Sequence, residues 1–228
     1  MGRDICLVGA ASRTREWIHE IPESVELWGM NENNTFQHRA DRWFQIHPRN
    51  WREETIRHRG KFEPGNYGRP ESHITFLAEH VGCPVYMQEV DDRIPNSVRY
   101  PFEEVRDTFG IEHFDLGKVA YLTSTAAYMI ALALLEHMKG DTIDAIYAAG
   151  VEMQIGTEYS MQKPCVEYYL GWARALGIEW KPAPGNSLLR APVYARDHDK
   201  PYKDDNWRGI GADGQKLDPN KAMVLTDS

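Results

Sequence analysis

The fold is decided by residues 121–140, YLTSTAAYMIALALLEHMKG, and by the residues that follow at 141–160, DTIDAIYAAGVEMQIGTEYS. In the first stretch a Ser/Thr turn opens an apolar run, which predicts a helix over 124–138. In the second, an apolar run predicts a buried strand over 143–148, and Glu152 follows soon after its end. Open α/β sheets bind ligands at helix N-termini and at the carboxyl ends of strands. The two stretches therefore predict a nucleotide site.

The N-terminal segment repeats this arrangement. An apolar run at 5–8 predicts a strand covered on both faces, and Gly9 follows it. Ser12 is predicted to cap the next helix, either as an ordinary cap or with its hydroxyl near a bound phosphate, whose charge Arg13 would neutralise. The turn has one glycine and lacks the G-x-G-x-x-G pattern of dinucleotide-binding proteins. We therefore expect a nucleotide here rather than a dinucleotide.

Short apolar runs and helical patterns alternate along the chain, which predicts an α/β, Rossmann-like fold with a mostly parallel sheet and helices on both faces. Residues 1–189 are predicted to form a single domain with a mobile, Gly/Pro-rich loop at 59–70, and 190–228 an irregular C-terminal tail that packs on the body or on a partner chain. Further strands are predicted at 25–30, 42–47, 84–87 and 178–180, helices at 51–58, 71–80, 101–109 and 159–176, and a polar connection at 88–100.

The charge, the cysteines and the length of the apolar runs argue against several classes of protein. The net charge of -8 over 228 residues argues against a broad nucleic-acid-binding face, although a local basic groove is compatible with it. Three cysteines lie far apart without metal-ligand spacing, so we expect reduced thiols, a cytoplasmic protein and no dedicated metal site. No stretch approaches the ~20 apolar residues of a membrane span, and we expect no membrane association.

Polar residues follow the second and third predicted strands. Asn31 offers a donor and an acceptor that suit a ribose or a base edge, or it forms a turn with left-handed backbone. The turn interpretation is favoured for Asn33 and Asn34. His47 is a candidate general base or sugar-hydroxyl donor, with a structural histidine as the alternative.

Further candidates lie in and around the 121–160 block. Thr123 and Ser124 can present hydroxyls to an anion or simply cap a buried helix. Glu152 can accept both hydroxyls of a ribose. Glu158 and Tyr159 can face the same cleft, or they form the first turn of a helix, where glutamate is favoured by the helix dipole. A basic cluster can hold phosphates or an anionic acceptor, or be a solvated loop; it comprises Arg57, His58, Arg59, Lys61 and Arg69.

Several dispersed motifs resemble the bacterial sialyltransferases of glycosyltransferase family 42. They are V-G-A-x-S, a strand ending in Asn, T-S-T-A-A-Y-M-I-A-L-A-L, I-Y-A-A-G-V-E-M and N-S-L-L, spread over residues 4–189. They are also similar to a wider set of Rossmann-like proteins that includes uncharacterised phage proteins and hydroxymethylpterin diphosphokinases. The resemblance implies a transferase, most simply a glycosyltransferase, whose donor is a nucleotide sugar and whose acceptor is a glycan or hydroxymethylated phage DNA.

The resemblance also implies roles for individual residues. A nucleotide would be held by Ser12, Asn31, Ser124, Gly150 and Glu152, and Tyr159 would assist the leaving phosphate. The family's histidine base precedes the late helix, but the corresponding stretch here, MQKPCVEYY, has no histidine. His47 or Glu158 would then be the base. A diphosphokinase-type phosphoryl transferase and a non-catalytic nucleotide-binding protein remain alternatives.

Overall fold

The computed structural model of the chain describes residues 2–31, 33, 37, 39–47, 75–153 and 159–189. The predicted helix at 51–58, the loop at 59–70 with its basic cluster, the tail at 190–228, and Asn34 and Glu158 lie outside the described residues.

The described elements alternate between strand and helix along the chain. In order they are β1 (Arg3–Val8), α1 (Ser12–Arg15) with a 3-10 turn (Glu16–Glu20), β2 (Glu26–Met30), β3 (Arg42–Phe44), a π-helical turn (Phe76–His80), β4 (Val85–Met87), β5 (Ser97–Arg99), α2 (Phe102–Phe109), β6 (Ile111–His113), β7 (Gly117–Val119), α3 (Thr125–Met138), β8 (Ile143–Ala149), α4 (Tyr159–Ala175) and β9 (Glu179–Pro182).

Among the described residues, seven strands form one sheet in the order β5-β4-β3-β2-β1-β8-β9, and every neighbouring pair is parallel. The chain runs outward from β1 to β5 on one side and continues from β8 to β9 on the other. The direction of winding therefore reverses between β1 and β8, which is the point where such sheets bind ligands. The predicted α/β, Rossmann-like class is confirmed.

The central strand β1 is buried on both faces, as its continuous apolar run requires. Ile5 and Leu7 belong to the core that contains α3, whereas Cys6 and Val8 face a smaller cluster that includes Trp17. Layers of chain thus cover both sides of the sheet. Helix α3 is buried almost all round, which explains why its sequence is apolar without a polar face.

Two sequence expectations in this part of the chain are wrong. Residues 88–100 are not only a polar connection, because they contain β5, a polar edge strand held by backbone pairing with β4. Ser12 is not the cap of α1: Ala11 occupies that position, and no side chain caps the helix. The backbone N–H of Ala11 instead donates to the Gly150 carbonyl at 2.9 Å, so contact with the neighbouring strand end sets where the helix begins.

Charged side chains form a network at the amino ends of the strands, which we call the amino-end ion network. Arg3 at the start of β1 contacts Glu26 at 2.6 Å and Glu136 at 2.5 Å, and Arg42 at the start of β3 contacts Glu136 at 2.5 Å. The side chains of Arg3, Arg42 and Glu136 are only 16–21% exposed. The C-terminal part of α3 is thereby tied to two strands.

Candidate functional site

The carboxyl ends of β1 and β8 meet through two glycines. Gly9 N–H donates to the Ala149 carbonyl at 2.8 Å. A Cβ on Gly150 would lie 2.2 Å from the Gly9 carbonyl oxygen, and Gly150 has a φ of +70°. A side chain at Gly150 is thus excluded both by the close approach of the two chains and by the left-handed backbone. The observed role of the two glycines is to join the strand ends, and nucleotide contact through them remains a prediction.

An ion pair spans the same junction. The guanidinium of Arg13, on α1, lies 3.3 Å from a carboxylate oxygen of Glu152, which follows β8. The Glu152 side chain is 2% exposed, whereas that of Arg13 is 41% exposed. Arg13 also donates to the Gly185 carbonyl at 2.6 Å. The pair therefore combines a buried acceptor with a cation that reaches solvent, an arrangement suited to a ligand that carries both hydroxyls and an anionic group.

Ser12 is exposed beside this pair, at the first residue of α1. Its hydroxyl makes no hydrogen bond to any residue that the structure describes. Because α1 has only four residues, its dipole is small, and the contribution that Ser12 can make to binding is its hydroxyl.

Asn31 lies where β2 ends, near the start of α3. Its φ of 49° confirms the left-handed turn, and its N–H donates to the Phe44 carbonyl at 2.9 Å. Its side-chain oxygen accepts from the Thr125 hydroxyl at 3.4 Å. The turn geometry thus aims the Asn31 amide at the helix start, so the two interpretations of this residue are compatible.

The Thr123 and Ser124 hydroxyls both have structural partners. Ser124 is the N-cap of α3, and its hydroxyl oxygen accepts from Ala127 N–H at 3.3 Å. Thr123 donates two bonds, from its N–H to the Cys165 sulfur at 3.3 Å and from its hydroxyl to the Met161 carbonyl at 3.4 Å. The capping interpretation therefore accounts for Ser124 without a ligand, and anion binding there remains a prediction.

Of the three catalytic candidates, the structure describes the side chain of His47 only. His47 is half-buried and follows β3 by three residues, at the same edge of the sheet as Asn31. Tyr159 begins α4, and its side chain lies outside what the structure describes, as does the whole of Glu158. Within the described ranges, no three His, Cys, Asp or Glu residues are grouped as metal ligands would be, and no helix is long and apolar enough to cross a bilayer.

Two buried asparagines at this edge make long-range hydrogen bonds that the sequence did not predict. Asn33 donates to the Val8 carbonyl at 2.6 Å, and Asn186 donates to the Val151 carbonyl at 2.7 Å. Asn33 therefore fixes the chain at the end of β1, and Asn186 fixes it just after the end of β8. The turn interpretation of Asn33 misses this long-range bond. The N-S-L-L motif, which begins at Asn186, was the available sequence signal for the second.

A cavity of about 730 Å³ lies between the C-terminal part of α4, β9 and the loop that follows β9, and Gly185 and Asn186 of that loop are part of its lining. Its lining is mainly apolar and includes Leu170, Trp180 and Leu188, with Arg174 and Glu179 as charged groups. Leu189 at its rim leads directly into residues outside the described range, so we assign the cavity no ligand.

No family model and no curated protein sequence matches this chain. Solved structures do. The sialyltransferase CstII from Campylobacter jejuni in complex with cytidine-5'-monophosphate is 12% identical with a TM-score of 0.49, covering 83% of this chain and 82% of that one. The same enzyme with CMP-3FNeuAc is 12% identical with a TM-score of 0.47, covering 81% of this chain and 81% of that one. CST-II with a trisaccharide acceptor and CMP is 10% identical with a TM-score of 0.49, covering 82% of this chain and 83% of that one. These structures are sialyltransferases, the class that the sequence motifs resemble, and at these values the likeness does not extend to residue roles or activity.

Proposed function

We propose that this protein is a transferase that moves a sugar from a nucleotide-sugar donor to an acceptor hydroxyl. The observation that carries the proposal is the Arg13–Glu152 pair at the junction of β1 and β8, with Ser12, an exposed residue, directly before Arg13 in the chain. This is the reversal point of a parallel sheet, where nucleotides are bound in open α/β folds.

The proposed donor lies across the carboxyl ends of β1, β2 and β8. Glu152 accepts the ribose hydroxyls, and Arg13 and Ser12 bind the phosphate. Asn31 orients the ribose or base edge from the end of β2, and Thr123 and Ser124 border the site at the start of α3. Gly9 and Gly150 shape its floor through the contact between their backbones.

The proposed reaction is a displacement at the anomeric carbon. The acceptor oxygen forms the new bond to that carbon, the bond to the donor phosphate oxygen breaks, and the nucleotide leaves with the electron pair. His47 or Glu158 takes the proton of the acceptor hydroxyl. Arg13 and Tyr159 stabilise the charge that develops on the leaving phosphate.

Ligand-dependent melting tests the binding step. A ligand at about 100 times its dissociation constant stabilises the folded state by about 2.7 kcal/mol, or roughly 5–11 °C in Tm for a chain of this size. We expect such a shift with one nucleoside mono- or diphosphate or its sugar conjugate, and a smaller shift in Arg13→Gln. If no nucleotide in the panel raises the Tm, the proposal is contradicted.

Product analysis tests the transfer step. The donor identified by melting is incubated with a simple glycan, hydroxymethylated DNA or unmodified DNA, and the products are identified by mass spectrometry. Sugar on the glycan or only on hydroxymethylated DNA names the acceptor class, and the net charge of -8 predicts that any DNA is held by a local contact. Donor binding without hydrolysis or transfer would instead indicate a non-catalytic nucleotide-binding protein, and phosphoryl transfer dependent on Mg²⁺ would indicate the kinase alternative.

A further inference from the structure

The segment that carries Glu152 extends beyond the sheet. The last paired residue of β8 on its β1 side is Ala149, opposite Val8, and on its β9 side Ala148, opposite Pro182. Val151, Glu152 and Met153 are nevertheless buried. Their backbone therefore needs partners that a neighbouring strand does not supply.

The loop after β9 supplies one such partner through Asn186. Its side-chain N–H donates to the Val151 carbonyl at 2.7 Å, while its side-chain oxygen accepts from Leu188 N–H at 2.8 Å. Its own N–H donates to the Ala183 carbonyl at 3.1 Å. Asn186 is 2% exposed, and both ends of its amide are used, so it fixes the residue before Glu152 much as a strand neighbour would.

The same loop holds the other member of the ion pair. The Gly185 carbonyl, one residue before Asn186, accepts from the Arg13 guanidinium at 2.6 Å. The loop is in turn fixed to α4, because Lys163 donates to the Ser187 carbonyl at 2.9 Å. Arg13 and Glu152 are thus held relative to one another by two adjacent residues of one anchored loop.

We propose that Asn186 is a positioning residue, which sets the place of the Glu152 carboxylate for the nucleotide by bonding to the carbonyl of Val151. The inference rests on the proposed function for its ligand, and it predicts that Asn186 acts on binding through Glu152 and not by direct contact.

A double-mutant cycle on nucleotide affinity, measured by calorimetry, tests this coupling. We expect Asn186→Ala and Glu152→Gln each to weaken binding about tenfold or more, as the loss of a charge-assisted bond would. The double variant should bind no more weakly than Glu152→Gln alone. If the two losses multiply, Asn186 does not act through Glu152 and the proposal is overturned.

A control variant at an exposed asparagine separates positioning from general stability. Asn96 also donates from its side chain to a backbone carbonyl, that of Val81, at 2.8 Å, but next to β5. Asn96→Ala is expected to lower the Tm while leaving nucleotide affinity unchanged. If Asn186→Ala does not fold, Asn186→Ser takes its place in the cycle, because it removes the amide donor to Val151 and adds no charge beside Glu152.

A ligand-independent measurement keeps the inference testable if no nucleotide binds. The three native cysteines are buried, and burial raises the pKa of Cys6 to about 12 and that of Cys83 to about 11, so they react slowly with thiol reagents. Met153 is 5% exposed, and Met153→Cys places a reporter in the segment. We expect Asn186→Ala to speed labelling of this thiol about tenfold or more over Asn96→Ala. Equal labelling rates would overturn the positioning role, whereas failure of the wild type to bind nucleotides would contradict only the proposed function.

Discussion

The two ends of the sheet use charge differently. In the amino-end ion network, Arg3 and Arg42 share Glu136 at 2.5 Å, and their side chains are 18% and 16% exposed. At the carboxyl end, Arg13 lies 3.3 Å from Glu152 and is 41% exposed. Tight, shielded pairs leave little capacity for another partner, whereas a longer pair with an exposed cation retains it. We therefore predict that substitutions at the amino end lower stability and that substitutions at the carboxyl end weaken ligand binding.

The environment of the arginines adds to this contrast. The Arg42 guanidinium carbon lies 4.7 Å from the centre of the Trp28 ring, a cation–π contact that the amino-end network adds to its ion pairs. Burial alone would lower the pKa of Arg3, but hydrogen bonds and charge from Glu26 and Glu136 outweigh it and raise that pKa above its ordinary value. The charges at this end are thus stabilised by each other rather than by solvent.

The largest expected effect comes from the contact that joins the strand ends. Gly150→Ala places a Cβ 2.2 Å from the Gly9 carbonyl oxygen at a φ of +70°. Left-handed strain and overpacking together should lower the free energy of unfolding by roughly 2–5 kcal/mol, measured by urea denaturation. Gly171→Ala, in α4 with no atom within 4 Å of the added Cβ, is the control and should be neutral or stabilising. Equal behaviour of the two variants would show that the strand ends are not joined as described.

The next effect tests the amino end. Glu136→Gln leaves two shielded arginines without their shared carboxylate and should lower the free energy of unfolding by about 3 kcal/mol, or roughly 6–12 °C in Tm. Nucleotide affinity should be unchanged because the network lies at the opposite end of the sheet. Glu103→Gln, which removes an exposed pair with Arg99, should change stability by less than about 1 kcal/mol. If Glu136→Gln binds the nucleotide more weakly under conditions where it is fully folded, the two ends of the sheet do not have separate roles.

The fold class was predictable because buried strands and helices appear in the sequence as short, continuous apolar runs. The apolar run of β1 and the strand and helix of the 121–160 block predicted the central layers, and the alternation of strands and helices predicted a mostly parallel sheet but not the order of its strands. Strands with few buried side chains lack such apolar runs. Strand β5 and the hairpin of β6 and β7 are mostly exposed, and the sequence predicted neither.

The candidate site was predictable in part, for a related reason. Polar residues just past strand ends mark the edge where ligands bind, which located Ser12, Asn31 and Glu152. The bonds of Asn33 and Asn186 join residues 25 and 35 positions apart, so no local pattern specifies them. The start of α1 was mispredicted for the same reason, since a contact with Gly150 fixes it rather than a local cap.

The carboxyl end is tested by Glu152→Gln, the counterpart of Glu136→Gln. Loss of charge-assisted hydrogen bonds should weaken nucleotide binding by about 10- to 150-fold in calorimetry. Stability should change little, because the exposed side of Arg13 can be solvated once its partner is neutral. The two variants should therefore give opposite results, one losing affinity and the other stability. A Glu152→Gln protein that binds normally but melts early would mean that both ends serve stability alone.

The smallest effect decides whether Ser124 is more than a cap. Its hydroxyl accepts from Ala127 N–H at 3.3 Å, so Ser124→Ala should destabilise the protein by about 1 kcal/mol, whereas Ser124→Gly should cost only a few tenths because glycine is a tolerated N-cap. A hydroxyl that also contacts the nucleotide is lost equally in both variants. We therefore expect the two variants to differ in Tm by roughly 1–3 °C yet to weaken nucleotide binding to the same extent. If affinity is unchanged in both, Ser124 is only the cap of α3, and the ligand is held from the β1 and β8 side of the junction.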